Sequence, residues 1–138
     1  MKNTRHATTN YKKLLPLLGD MLQTGRDYKR FTAEGYMPLV IEALHYSDHK
    51  GRPVYSMAHY GQQNGDAMRD PDLTFSIDSE AGTVEPLTFQ NDYLGIYQEV
   101  YCTNDAGQLC YSPRLRSSLD EFLWIWLDNI KAQGYEPE

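Results

Sequence analysis

The sequence predicts an α+β domain in which an antiparallel β-sheet of about five to six strands, arranged as a meander, packs against an N-terminal and a C-terminal helix. Apolar residues recur at helical spacing near both ends of the chain, and short aromatic and β-branched segments fill the middle. Residues typical of tight turns separate those segments. Successive strands joined by short turns favour antiparallel pairing over a βαβ arrangement.

The first helix is predicted to extend from Tyr11 to about Gly25, because its apolar residues repeat every three or four positions. Pro16 is unfavourable inside a helix, so we expect the regular turns to begin near Leu14. Residues 1–9 are polar and are predicted to form a flexible tail.

The middle of the chain is predicted to be mainly strand. Residues 26–35 are polar and are expected to form a loop. The segment Asp72–Asp78 alternates between apolar and polar side chains, which is the period-two pattern of a strand with one buried face. Pro86 is expected to mark a sheet edge or a bulge. The other predicted strands are 36–46, 54–60, 83–90, 93–102 and 108–111.

The C-terminal helix is predicted to start at a capping box, Ser118–Glu121, and to end at Gly134. Trp124 and Ile125 lie off its main apolar stripe. They either pack beneath the N-terminal tail or form an exposed patch for self-association, so both a monomer and a homodimer are considered. The apolar stripe consists of Leu119, Phe122, Leu123, Trp126, Leu127 and Ile130.

Length and composition predict one folded domain over residues 1–138. No apolar run reaches the roughly 18 residues that a membrane-spanning helix needs. The N-terminal residues lack the apolar stretch of a secretory signal. We therefore expect a cytoplasmic protein that does not enter a membrane. Cys102 and Cys110 are expected to be reduced thiols, and a disulfide across the intervening turn is the alternative.

Charge is distributed unevenly along the chain. Residues 1–30 contain seven Lys or Arg and two acids, whereas residues 66–110 contain nine Asp or Glu and one basic residue, Arg69. An acidic sheet repels phosphates, so direct nucleic-acid binding through it is disfavoured. The sequence contains no complete catalytic or metal-binding pattern, and no catalytic residue, metal or cofactor is predicted.

The densest polar stretch is His59–Asp72. Within it, Asn64-Gly65 indicates a tight turn between strands. The acids of this stretch, together with His59, would supply a metal site, but the ligand pattern of a calcium-binding EF-hand is absent. The stretch is therefore a structural loop, a binding surface or a metal site. The candidate binding residues are Tyr60, Asn64, Gly65, Asp66, Met68, Asp70, Asp72, Tyr97 and Glu99.

The predicted strand 93–102 has two different faces. Its apolar residues Leu94, Ile96 and Val100 occupy even positions and are expected in the core. The odd positions carry three tyrosines and Glu99. This tyrosine face is either a platform for a partner or a surface covered by the N-terminal helix.

Two blocks of the sequence resemble an uncharacterised bacterial domain family that is associated with plasmids, phages and other mobile elements. The first block is HYGQQNGDAMRDPD, residues 59–72, and the second is NDYLGIYQEVY, residues 91–101. The resemblance covers about residues 36–130. It implies an accessory domain of mobile DNA and supplies no mechanism.

Two functional hypotheses follow. The first is a non-catalytic domain that binds a protein partner through an acidic, tyrosine-rich sheet surface. In a narrower form of this hypothesis, the surface mimics DNA and occupies a DNA-binding protein. The alternative is a small metal-dependent hydrolase that uses His59, Asp66 and Asp70 with a divalent cation.

Overall fold

The computed structural model describes residues 2–138, which contain three helices and nine strands. In chain order these are α1 Ala7–Leu18, α2 Met21–Thr24, β1 Tyr28–Thr32, β2 Leu39–Ser47, β3 Pro53–Gln63, β4 Asp66–Asp78, β5 Thr83–Asn91, β6 Ile96–Glu99, β7 Tyr101–Thr103, β8 Leu109–Tyr111, α3 Pro113–Gln133 and β9 Glu136–Pro137.

Seven of the strands form one antiparallel sheet in the order β6-β5-β4-β3-β2-β1-β9. Chain neighbours are therefore sheet neighbours from β1 to β6, as in a meander, and β9 returns after α3 to pair with β1. Strands β7 and β8 form a separate two-stranded sheet. The predicted α+β architecture is confirmed, and its main sheet has seven strands.

Helices α1 and α3 cover one face of the main sheet. Alternate residues of the long central strands point toward the helices, and these are the apolar ones. The main hydrophobic core therefore lies between the two helices and the sheet. Its buried apolar side chains include Leu14, Leu18, Phe31, Leu39, Ile41, Tyr55, Met57, Leu73, Phe75, Ile77, Val84, Leu119, Leu123, Trp126, Leu127 and Ile130.

Helix α1 begins at Ala7, earlier than the predicted start near Leu14, and it includes part of the segment for which the sequence predicts a flexible tail. The cause is a contact with α3. The buried carboxylate of Asp120 accepts hydrogen bonds from the Thr4 hydroxyl at 2.6 Å and from the His6 backbone N–H at 2.9 Å. A long-range contact of this kind leaves no pattern in the local sequence.

Helix α3 begins at Pro113, so the predicted capping box at Ser118–Glu121 is wrong. The N-cap is Ser112, whose hydroxyl accepts a hydrogen bond from the Leu115 backbone N–H at 3.2 Å. Proline is well suited to the first helical position, because it lacks the N–H that would otherwise have no partner there. The predicted end is confirmed, since Gly134 adopts a left-handed conformation with φ of 77°.

The N-terminal residues cover Trp124, as one of the two alternatives for this side chain predicts. The His6 ring stacks on the Trp124 ring with a centroid separation of 4.4 Å, and the Lys13 ammonium lies 4.9 Å from the centre of the same ring. Ile125 is 49 % exposed on the outer side of α3, and self-association through it stays a prediction.

Two predictions about the strands are wrong. Strand β1 lies inside the predicted loop 26–35, and the predicted strand 93–102 is divided into a turn followed by β6 and β7. Leu94 and Ile96 are 69 % and 37 % exposed and not in the core, because Leu94 lies in the turn and β6 is the edge strand of the sheet. Val100 is buried, as predicted.

Candidate functional site

The face of the sheet opposite the helices carries two lateral rows of side chains. Residues that pair directly across antiparallel strands point to the same face, so the strand register defines each row. Row one is Arg30, Val40, Ala58, Asp72, Gln90 and Tyr97. Row two is Tyr28, Glu42, Ser56, Thr74, Thr88 and Glu99. We call the surface formed by these twelve residues the open face.

The residues of the open face differ in exposure from its centre to its edges. Ala58 and Ser56, at its centre, are small and buried, whereas Tyr28 and Tyr97, at opposite edges, are 58 % and 57 % exposed. Since neighbouring side chains cover the two small residues, the accessible surface of the open face is formed by the side chains around them.

Four of the nine predicted binding residues come together here. Asp72, Tyr97 and Glu99 belong to the two rows, and Tyr60 follows Ala58 on the same side of β3. The expectation that the N-terminal helix covers the tyrosine face is wrong for Tyr97, because α1 packs against the opposite face of the sheet.

The other five predicted residues lie on the β3–β4 hairpin, where the structure has two paired strands and a tight turn in place of a structural loop over residues 59–72, one of the alternatives for this stretch. Asn64 and Gly65 form its two-residue turn with φ values of 53° and 84°, so a residue that tolerates the left-handed region is required at both positions. Asp66 and Met68 follow on β4, and Asp70 accepts a hydrogen bond from the Asn91 side-chain amide at 2.8 Å.

Asp72 is the most perturbed group of the open face. Burial raises its pKa to about 6; Arg69 opposes this shift, and the negative charges of Glu42 and Asp92 add to it. Its Oδ1 atom is buried and has no hydrogen-bond partner within residues 2–138. A positively charged group placed beside Asp72 on the open face would favour the ionised form of this carboxyl.

An ion pair lies on one side of the open face, beside row one. The Arg69 guanidinium donates to the Asp92 carboxylate at 3.0 Å, and the Arg69 backbone N–H donates to the same oxygen at 2.8 Å. Together these bonds hold the pKa of Asp92 below its usual range. The positive charge of Arg69 is thereby engaged within the domain.

A cavity of about 250 Å³ lies on the other side, beside row two. We call it the row-two cavity. Its floor includes Thr74 and Thr88, whose hydroxyl oxygens are 2.5 Å apart, and the centres of the His49 and Tyr101 rings approach to 4.5 Å at its wall. The cavity is lined by Tyr46, Asp48, His49, Thr74, Leu87, Thr88, Tyr101 and Leu109.

The sequence does not reveal this cavity, because its lining comes from five separate parts of the chain. The only feature of the cavity that the local sequence indicates is a β-bulge in β5. The β4–β5 register shifts between Thr74 and Phe75, which leaves Leu87 unpaired next to Pro86, the residue at which the sequence predicts an edge or bulge.

Two ion pairs neutralise basic side chains near the cavity. Arg116 donates to the Glu85 carboxylate at 2.5 and 2.8 Å, and the Arg52 Nε–H donates to the Asp48 carboxylate at 2.8 Å. Burial by itself would raise the pKa of Glu85, but hydrogen bonds from Arg116 and Tyr101 bring it below its usual value. The positive charges of Arg52 and Arg116 are therefore both paired with carboxylates of the same domain.

His59 faces the helices and not the open face. Its Nε2 atom accepts a hydrogen bond from the Trp126 indole N–H at 3.0 Å, and burial lowers its pKa. Asp66 lies near the tip of the hairpin, where it pairs with Gln63 at the far end of the β3–β4 ladder. Within residues 2–138, no group of three His, Cys, Asp or Glu side chains is arranged to hold a metal ion.

Cys102 and Cys110 are free cysteines that occupy directly opposite positions on β7 and β8. None of the helices in the described part of the chain combines the length and the apolar character needed to cross a membrane.

The fold and the open face define a small α+β domain with one helix-covered and one accessible sheet face. The chain belongs to the family of the domain of unknown function DUF6908, whose model matches residues 9–136. Comparison with curated proteins gives no match, and neither does comparison with solved structures. The family assignment agrees with the resemblance to an uncharacterised domain family, and the association with mobile elements stays a prediction.

Proposed function

We propose that this domain is a non-catalytic cytoplasmic module that binds a basic segment of a protein partner on the open face. The observation that carries the proposal is the strand register, which aligns Asp72 and Tyr97 in one row and Glu42 and Glu99 in the next. Aromatic and acidic side chains on an accessible sheet face suit a partner that presents positive charge.

The mobile-element resemblance supplies a context for this proposal. A DNA-binding protein presents a basic surface, so the DNA-mimic hypothesis is its narrower form. We do not propose the hydrolase alternative, because His59 is engaged with Trp126 while Asp66 lies near the hairpin tip.

The proposal is tested with a labelled arginine- and lysine-rich peptide, whose binding is followed by fluorescence anisotropy. Binding is expected to weaken as salt rises from about 0.05 M to about 0.3 M, because screening reduces attraction between exposed charges. A peptide of the same length with glutamate in place of the basic residues should not bind.

Two double variants separate a specific face from general acidity. E42Q/E99Q removes two charges from row two, and E80Q/D105N removes two exposed charges from turns. The first is expected to weaken binding at least tenfold and the second less than twofold. Equal losses in the two variants would show attraction to net charge alone and would refute the proposal.

A further inference from the structure

We propose that the row-two cavity receives one arginine side chain of the partner. This inference rests on the proposed function and adds the identity of the anchoring group.

The size of the cavity favours a single side chain. Pockets for drug-sized ligands hold about 300–1,000 Å³, and the row-two cavity holds about 250 Å³. Its floor residues Thr74 and Thr88 also belong to row two, so a side chain of a segment lying on the open face has a direct route into the cavity.

The charge around the cavity favours a cation. Arg52 and Arg116 are each paired with an acid. Glu99 pairs directly with Thr88 of the cavity floor, and Asp72 precedes Thr74 by two residues on the same face of β4. These two carboxylates give the open face beside the cavity a negative charge, to which a cation would be attracted.

The shape of the lining favours a guanidinium over an ammonium. The ring of Tyr46, which is 55 % exposed, provides a flat surface on which a planar guanidinium stacks, and the His49 and Tyr101 rings contact each other at the wall of the cavity. The same group presents several N–H donors, which match the hydroxyl oxygens of the floor and the Glu99 carboxylate. A lysine ammonium is a point charge and gains less from flat walls.

The test uses Nα-acetyl-L-arginine amide as the probe and the full chain labelled for NMR. We expect saturable shifts at Tyr46, Thr74 and Thr88. The citrulline analogue, which has nearly the same shape without the charge, should bind at least tenfold more weakly. Equal binding of the two probes, or shifts confined to other parts of the chain, would overturn the inference.

A matched pair of variants checks the position. Tyr46 and Tyr36 are 55 % and 52 % exposed, but only Tyr46 lines the cavity. Tyr46→Ala is expected to weaken binding of the arginine probe at least fivefold, and Tyr36→Ala, outside the open face, to leave it unchanged. Equal effects of the two substitutions would contradict the inference.

The two proposals fail in different ways. If the basic peptide binds and depends on Glu42 and Glu99 while the arginine probe does not bind, the cavity inference is wrong and the proposed function stands. If the probe binds in the cavity while the basic peptide does not bind, the cation site stands and the proposed function is wrong.

Discussion

Replacing Asp72 by asparagine is expected to raise the free energy of unfolding of the domain at neutral and alkaline pH. In acid the same replacement should have almost no effect. The pKa of Asp72 is raised to about 6 in the folded chain, against about 3.9 in an unfolded chain. Between these values the folded chain holds a proton that the unfolded chain has lost. Stability therefore falls as pH rises through this window.

The size of the effect follows from the shift. About two pKa units correspond to about 3 kcal/mol, which is the ceiling for the destabilisation that ionised Asp72 causes. An asparagine side chain has nearly the same shape as the acid and carries no charge. The Asp72→Asn variant is thus expected to gain up to about 3 kcal/mol over the natural chain at pH 8, and almost nothing at pH 3.

Urea unfolding at a series of pH values measures this difference. Glu99→Gln, at the exposed edge of the same face, is the control and should change the free energy of unfolding by less than about 0.5 kcal/mol. A stability gain of Asp72→Asn that stays constant from pH 3 to pH 8 would show the reasoning to be wrong, because burial of the charge could not then be its cause.

Three further predictions concern the contacts that hold the helices, each measured by chemical denaturation. Arg116→Ala leaves Glu85 buried without its cation and should cost about 3–5 kcal/mol at neutral pH; a loss below about 1 kcal/mol would contradict a buried pair. Ser112→Ala removes the N-cap and should lower the free energy of unfolding by about 1 kcal/mol, whereas Ser118→Ala should leave it nearly unchanged. A larger loss from Ser118→Ala than from Ser112→Ala would show that the helix starts at the predicted capping box. Asp120→Ala should cost at least about 2 kcal/mol, because Asp120 accepts two hydrogen bonds from the N-terminal segment, and an unchanged midpoint would exclude that role.

Elements with local patterns are predicted well. The Asn64-Gly65 turn, the alternation in Asp72–Asp78 and the stop at Gly134 all agree with the structure, since each depends on the conformational preferences of neighbouring residues. The capping box at Ser118 shows the limit. The same residue types occur inside a helix when its true cap lies one or two turns earlier.

The candidate site is predicted only in part. The sequence indicates Tyr60, Asp72, Tyr97 and Glu99 as binding residues, and the structure places these four on one face. The sequence does not indicate Glu42 as a residue of the site, and it does not indicate the row-two cavity. These depend on which residues of distant strands are paired, and pairing is fixed by the whole sheet.

The sequence by itself determined the class of fold, the order of most of its elements and the acidic, tyrosine-rich character of its central strands. Those properties follow from composition, periodicity and turn chemistry, which act over a few residues. Only the tertiary structure decided which face the helices cover, which side chains line up across the strands and where a cavity opens. Those outcomes depend on register and packing between residues far apart in the chain, and no local pattern encodes them.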